Sequence, residues 1–155
     1  MRAGRVGRAR VTMAAAMTKI STAKLRRLMD ELPFNSHLGL KLTRRHEDGV
    51  TIECPIRPEF FNIHKTLHGG VTATLVDVAG GVGTISYYGG RPCATVEMKL
   101  SYFLPLTGKK VTARSKILRA GNTLCVWQVD VHDAKGRLAA AGMITYMLLD
   151  TARHK

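Results

Sequence analysis

The segment between Lys65 and Arg91 constrains the fold of this chain more than any other part of its sequence. It is built mainly from Val, Ala, Gly, Leu and Thr, and it carries a single acid, Asp77, and no base except His68. One apolar stripe recurs at helical spacing and small residues fill the other faces, which predicts a helix that is buried rather than surface-lying. The stripe consists of Val71, Leu75, Val78 and Val82. The rest of the chain must therefore wrap around this helix.

The lone acid of this helix is the first candidate for chemistry. A carboxylate among apolar residues loses hydration unless other groups hold it, so Asp77 is either a costly structural feature or a catalytic one. Asp77 follows His68 by nine residues, and helical rise places it about 13 Å along the axis from the helix start. That is too far to act on the same atom as Gly69 of its own chain. A site that used both residues would have to draw them from two chains.

Strand-like segments precede and follow the helix. Thr18 to Leu32 has the spacing of an amphipathic helix, which Pro33 is expected to end. Alternating apolar and polar residues predict strands at 38–45, 50–56, 94–101, 110–118, 123–131 and 138–149. The connections are short and rich in Gly, Asn and Asp, which favours an antiparallel sheet. We therefore predict an α+β fold in which an antiparallel sheet wraps around a long central helix.

The composition sets the expected domain layout. The 155 residues suit one domain, which at this size buries about two-thirds of its unfolded surface. Residues 1–16 are rich in Arg and free of acids, and we expect a disordered basic extension there, then an N-terminal helix at 17–33 and the main domain at 34–150. The extension is similar to a mitochondrial presequence in composition only. A start assigned too early, with Met13 or Met17 as the true first residue, is the preferred alternative.

Charge, hydropathy and cysteine content exclude several classes of protein. The net charge is +13, but Lys and Arg are scattered without a nucleic-acid-binding motif, so we expect no nucleic-acid partner. No apolar run approaches the length of a membrane span, so we expect no membrane partner either. Three widely separated cysteines indicate reduced thiols. We expect a cytoplasmic protein, or a mitochondrial one if residues 1–16 are a genuine presequence.

His68-Gly69-Gly70 stands where the central helix begins. Backbone N–H groups at a helix start are unsatisfied and carry the positive end of the helix dipole, so they can polarise a ligand carbonyl. Glycine lets the ligand approach the backbone closely, although a plain tight turn would use the same residues. His64 and His68 have the spacing of two metal ligands, but Lys65 replaces the zinc-protease glutamate and no third ligand is evident. We expect no metal and no redox cofactor.

Taken together, these residues resemble a known signature. The signature begins with Asn62, continues after five residues with His68-Gly69-Gly70, and ends after six more residues with Asp77. It resembles the signature of the hotdog-fold acyl-CoA thioesterases of the phenylacetate-pathway type, a group that includes the vertebrate thioesterase superfamily member 2. The resemblance covers roughly residues 35–149 and implies a hotdog fold. It also implies hydrolysis of acyl-coenzyme A (acyl-CoA) to free acid and CoA.

The resemblance implies a role for each residue of the signature. The Gly69 N–H, assisted by Asn62, would polarise the thioester carbonyl as an oxyanion hole. Asp77 of the partner chain would act as general base on a water, or as direct nucleophile. His68 would fix the geometry of Asn62 and its loop. Thr95 matches a family Ser or Thr that helps to hold the attacking water.

A second matching segment concerns CoA itself. The resemblance implies that a hairpin cradles the CoA nucleotide, and this hairpin consists of Arg119, Ala120, Gly121, Asn122, Thr123 and Leu124. Asn122 stands where the family has a second basic residue, which puts that contact in doubt. The family implies a homodimer with shared active sites, and we expect a homotetramer, with a simple dimer as the alternative. A hotdog hydratase or dehydratase and a non-catalytic acyl-CoA-binding protein remain the alternative functions.

Overall fold

Nine helices and strands and one short 3₁₀ turn follow one another along residues 20–150, the part of the chain that the computed structural model describes. They are α1 (Thr22–Asp30), α2 (Pro33–Leu38), β1 (Lys41–His46), β2 (Gly49–Pro55), the 3₁₀ turn (Pro58–Phe60), α3 (Gly69–Tyr87), β3 (Cys93–Tyr102), β4 (Lys110–Ala120), β5 (Leu124–His132) and β6 (Leu138–Leu148). The strands form one antiparallel sheet in the order β1-β2-β4-β5-β6-β3. The predicted basic extension, 1–16, and the predicted helix start at 17–18 lie outside the described residues.

The long helix α3 packs against β2 to β6, which confirms the predicted hotdog architecture. Leu75, Val76 and Ala79 are fully buried on the face that meets the sheet. Gly83 allows the helix to approach the sheet closely, because a Cβ there would lie 2.8 Å from Ser115 Oγ and 2.9 Å from the ring of Trp127. The core of the molecule is therefore the layer between α3 and the sheet.

The face of α3 that is buried differs from the predicted stripe. Val71 and Val78 belong to that stripe but are only half-buried, whereas Thr72 and Val76 are fully covered. Apolar residues lie all round this helix, so apolarity alone does not identify which face meets the sheet. The part of α3 that remains accessible includes the first turn and the neighbourhood of Asp77.

The N-terminal region contains a helix that the sequence analysis missed. Pro33 does follow α1, but it is also the first residue of α2, where its missing N–H would have no helical partner in any case. Gly39, with φ of 70°, ends α2 in the left-handed conformation. The predicted start of a strand at Leu38 is therefore wrong: Leu38 is the last residue of α2, and β1 begins at Lys41.

Strand β3 forms one edge of the sheet. Within residues 20–150 it pairs with β6 on one side, and the backbone of its other side is open. Val96 is 57% exposed and Met98 is 37% exposed on this strand. An open edge with exposed apolar residues is a surface that a further strand can cover.

Among the described residues, no helix is long and apolar enough to cross a membrane.

Candidate active site

The carboxylate of Asp77 lies at the middle of α3, beneath the edge strand β3. The Thr95 hydroxyl donates a hydrogen bond of 2.7 Å to Asp77 Oδ1, and the Tyr146 hydroxyl contacts the same oxygen at 3.1 Å. Asp77 Oδ2 accepts no hydrogen bond from residues 20–150. One carboxylate oxygen is thus held by two hydroxyls, and the other is available to a ligand. We call Asp77, Thr95 and Tyr146 the acid half of the site.

Tyr146 is a member of the acid half that the sequence analysis did not find. It lies on β6, is 2% exposed, and its hydroxyl also donates to the backbone carbonyl of Asp77. Burial raises the pKa of this phenol well above its usual value, and the neighbouring Asp77 carboxylate raises it further. The phenol therefore stays protonated and remains a donor. A tyrosine at an inward position of a strand is indistinguishable in sequence from an ordinary core residue. The only sequence signal for Tyr146 is indirect: a lone acid in an apolar helix needs a hydrogen-bond donor from another part of the chain.

The first turn of α3 is held by two side chains. His68 is the N-cap residue, and its Nδ1 accepts a hydrogen bond of 2.9 Å from the Gly70 N–H. The Tyr102 hydroxyl donates to the Gly69 carbonyl at 2.9 Å. The Gly69 N–H itself has no acceptor among the described residues. This donor is thus free at the positive end of the helix dipole.

Asn62 is held by its own loop. Its Oδ1 accepts from the backbone N–H groups of His64, at 2.9 Å, and Thr66, at 3.2 Å, while its Nδ2 lies 2.9 Å from Thr66 Oγ1. No hydrogen bond joins His68 to Asn62 within residues 20–150, and the ring of His68 caps α3 instead. Asn62 and Gly69 both line a cleft of about 310 Å³. We call Asn62, His68 and Gly69 the glycine half of the site.

The two halves are apart in a single chain. Asp77 is eight residues beyond Gly69 on α3, which corresponds to about 12 Å along the helix axis. Their anchors are also apart, because Thr95 lies near the start of β3 and Tyr102 is its last residue. One chain therefore presents two incomplete sites rather than one complete site.

An apolar groove of about 410 Å³ lies beside the glycine half. Its walls include Phe34 and Leu38 of α2, Phe60 of the 3₁₀ turn, and His68 and Val71 at the start of α3. The groove exists because α2 follows α1 directly and brings its aromatic residue towards the first turn of α3. It offers an apolar chain a place against the first turn of α3, at His68 and Gly70.

The predicted CoA-binding segment is the β-hairpin that joins β4 to β5, at the C-terminal end of α3. Tyr88 anchors it through a 2.8 Å hydrogen bond to the Gly121 carbonyl, and Arg91 anchors it through a 2.9 Å bond to the Asn122 carbonyl. A Cβ at Gly121 would lie 2.3 Å from the Leu124 carbonyl oxygen, so the turn has no room for a side chain there. Arg119 is exposed beside this rigid turn.

No group of three potential ligands among His, Cys, Asp and Glu side chains is placed to hold a metal ion within residues 20–150.

Comparison with known proteins connects this geometry to a family. Residues 64–140 match the family described as the thioesterase superfamily. The medium/long-chain acyl-CoA thioesterase YigI of Escherichia coli K12 is 31% identical, over 88% of this chain and 99% of that protein. Human acyl-coenzyme A thioesterase 13 is 35% identical, over 62% of this chain and 70% of that protein. The crystal structure of zebra fish thioesterase superfamily member 2 superposes with a TM-score of 0.75 at 27% identity, covering 84% of this chain and 99% of that one.

Proposed function

The chain belongs to the thioesterase superfamily and is a thioester hydrolase, and we propose that it hydrolyses acyl-CoA to a free acid and CoA. The observation that carries this proposal is the Asp77 carboxylate: two hydroxyls bind one of its oxygens, and the other oxygen has no hydrogen-bond partner within residues 20–150. The E. coli and human relatives are both named acyl-CoA thioesterases. Their names favour hydrolysis over the hydratase, dehydratase and non-catalytic functions that the sequence left open.

We propose that each active site combines the acid half of one chain with the glycine half of a second chain. The acid half is anchored near the start of β3 by Thr95, and the glycine half is anchored at its end by Tyr102. When two antiparallel copies of a strand pair about a two-fold axis, the start of one lies opposite the end of the other. Pairing through the open edge of β3 would thus bring the two halves together and cover Val96 and Met98.

In this composite site the Gly69 N–H binds the thioester oxygen, and the Asn62 amide assists it. Negative charge develops on that oxygen during attack, and a preorganised donor at a helix start stabilises it. Asp77 Oδ2 takes a proton from water, the water oxygen attacks the carbonyl carbon, and the carbon–sulfur bond breaks. The CoA thiolate then receives the proton from Asp77.

The hydroxyl of Thr95 keeps in this scheme the part that the resemblance implies, which is to help hold the attacking water, but it does so only as an acceptor. Its proton is donated to Asp77 Oδ1, so only its oxygen is available to accept a hydrogen bond from the attacking water. Direct attack by Asp77 Oδ2 on the carbonyl remains the alternative route. It would form a mixed anhydride that water then hydrolyses, and the products are the same.

The hairpin of residues 119–124 would bind the CoA nucleotide on the side of the acid half. Asp77 is eleven residues before Tyr88, the residue that anchors the hairpin, which corresponds to about 16 Å along α3. The exposed Arg119 supplies positive charge for the phosphates. The apolar groove beside His68 would receive the acyl chain. Tetrameric assembly and a cytoplasmic location stay predictions.

Release of free thiol from acyl-CoA tests the proposed function. The purified protein is mixed with acyl-CoA of increasing aliphatic chain length and with aromatic acyl-CoA, and free CoA is followed with a thiol reagent. We expect steady turnover, with kcat/KM rising with aliphatic chain length because the groove is apolar. The absence of thiol release from every member of the panel would contradict the proposal.

A further inference from the structure

A pair of glycines on α3, Gly80 and Gly81, has no part in the site as described so far, yet it borders the ring of Tyr146. We propose that Tyr146 is a positioning residue, which holds Asp77 by Oδ1 in both protonation states of the carboxyl group and leaves Oδ2 as the reacting oxygen. This inference rests on the proposed function, because it assigns a role in the reaction of Asp77.

Gly80 makes the room that Tyr146 occupies. A Cβ at Gly80 would lie 2.9 Å from Tyr146 Cε2, 2.9 Å from its hydroxyl oxygen and 2.9 Å from Ile144 Cγ2. Such distances are too short for real contacts, so any side chain at this position would displace the ring. A Cβ at Gly81 would lie 3.5 Å from the hydroxyl, an ordinary contact. The helix therefore has a notch at Gly80 that matches this one aromatic ring.

The hydroxyl of Tyr146 faces two acceptors and has one proton. It contacts the backbone carbonyl of Asp77 as well as Oδ1. When Asp77 is ionised, the proton of Tyr146 is shared with Oδ1. When Asp77 has taken the proton of water, the same hydroxyl donates to the carbonyl and keeps its contact with the carboxyl group. No side chain has to move between the two states.

The groups around Asp77 favour this function for Tyr146. Within the described chain, the titratable groups that face Asp77 are Tyr146 on β6 and Cys93 at the start of β3. Burial raises the pKa of Cys93 to about 11, and Asp77 contributes to that rise. Both groups are therefore neutral at neutral pH. Hydrogen bonds from Tyr146 and Thr95, rather than a nearby cation, stabilise the ionised carboxylate.

The first test is Tyr146→Phe, which removes the hydroxyl and keeps the ring. A hydrogen bond to a charged group is lost, so we expect kcat to fall about tenfold or more while KM changes less than about twofold. Removing a donor also disfavours the ionised carboxylate, so the acid limb of kcat should move to higher pH. The control is Thr84→Val, which removes a buried hydroxyl that donates to the Gly80 carbonyl on the same helix. It should leave the pH profile unchanged.

The neighbouring glycines give a second test that keeps Tyr146 itself. Gly80→Ala should displace the ring and reproduce the slower kcat and the shifted acid limb. Gly81→Ala adds the same methyl group one residue later and should behave like the wild type. This pair separates the position of the ring from any general effect of alanine on α3.

The outcomes distinguish this inference from the proposed function. A wild-type enzyme that turns over acyl-CoA, with a superimposable kcat–pH profile in Tyr146→Phe, would overturn the role of Tyr146 alone. If no acyl-CoA is hydrolysed, the proposed function fails. The coupling is then tested without substrate, by NMR of protein labelled with ¹³C at the aspartate carboxyl carbons. The chemical shift of the Asp77 carboxyl signal should change in Tyr146→Phe and stay unchanged in Thr84→Val, and an unchanged signal in Tyr146→Phe would overturn the inference.

Discussion

At the scale of single residues, Asp77 is the only acid of the apolar helix α3, and it is half-buried in the single chain. Its buried part loses hydration unless donors replace the lost water. Thr95 and Tyr146 supply two hydroxyls to one carboxylate oxygen, and the other oxygen has no partner among the described residues. Oδ2 is therefore open to water or to a ligand. The asymmetry of these contacts is what favours a reactive carboxylate.

Replacement of Asp77 by asparagine tests this directly. The Asn side chain can place its carbonyl oxygen at the position of Oδ1 and keep both hydroxyl contacts, so only the reactive oxygen changes. We expect kcat to fall about 100-fold or more with KM largely retained, since general-base catalysis is removed. Steady-state kinetics measure both constants. Asp130→Asn, a change of a β5 carboxylate outside the site, is the control. Near-normal turnover by Asp77→Asn would remove Asp77 from the mechanism.

The sequence alone indicates which residues form the candidate site, but it does not indicate which contacts those residues make. Asp77 stands out because it is the only acid in an apolar helix, and Gly69 because it begins that helix. Tyr146 lies 69 residues after Asp77, on β6, and no local pattern connects it with Asp77. The interaction predicted for His68 depends on loop geometry that spacing does not encode, and the structure shows the ring of His68 on Gly70 instead.

At the scale of elements, the proposed role of the hairpin between β4 and β5 is to bind the CoA nucleotide, and this role can be tested separately from hydrolysis of the thioester. Arg119→Ala should raise KM for acyl-CoA about fivefold with kcat unchanged, since an exposed ion pair contributes up to about 1 kcal/mol. A thioester of N-acetylcysteamine, which lacks the nucleotide, should show no change. Kinetics with the two substrates measure the difference.

The control for the hairpin is Lys116→Ala, which removes an exposed base from the same strand, β4. It should leave KM for both substrates near the wild-type value. Higher ionic strength should also shrink the effect of Arg119→Ala, because salt screens exposed charges. An equal loss for both substrates in Arg119→Ala would mean that the hairpin acts on the acyl end of the substrate.

The boundaries of the helices and strands show where local sequence patterns are enough to predict the structure. The strands after α3 follow the predicted ranges closely, because alternation and turn residues such as Gly121 mark both ends of each strand. The helix α2 was missed because a proline after a helix usually ends it. Here Pro33 both follows α1 and begins α2, and the left-handed Gly39 marks the true end. The groove beside His68 depends on α2, so it was not predictable either.

At the scale of the whole molecule, buried groups that must stay neutral set a limit on stability at high pH. Burial raises the pKa of Cys54 and Cys93 from 9.0 to about 11, and that of Tyr88 from 10.0 to about 12. The unfolded chain loses these protons first as pH rises. The stability that they contribute is therefore complete below about pH 9 and is lost progressively between about pH 9 and 12.

Urea unfolding at pH 8 and pH 10.5 measures this effect. We expect a lower free energy of unfolding at pH 10.5. Cys54→Ala removes one of the titrating groups, so its free energy of unfolding should fall less between the two values. Equal stability of the wild type at both values would show that these groups ionise without unfolding.

The composite site makes a prediction about the assembly as a whole. If Asn62 comes from one chain and Asp77 from the other, the Asn62→Ala and Asp77→Ala homodimers should both be nearly inactive. The two variants are unfolded together and refolded, and random pairing makes half of the dimers hybrids. In each hybrid, one site carries both lesions and the other carries neither.

Because half of the dimers have one intact site out of two, the mixture should recover roughly a quarter of the wild-type activity, for independent sites. The unmixed variants, refolded in the same way, are the controls, and mass spectrometry of the intact dimers confirms that hybrids have formed. A site within one chain gives a different result, since every site would still carry one lesion. Verified hybrids without recovered activity would therefore assign both halves to the same chain, and the open edge of β3 would need another explanation.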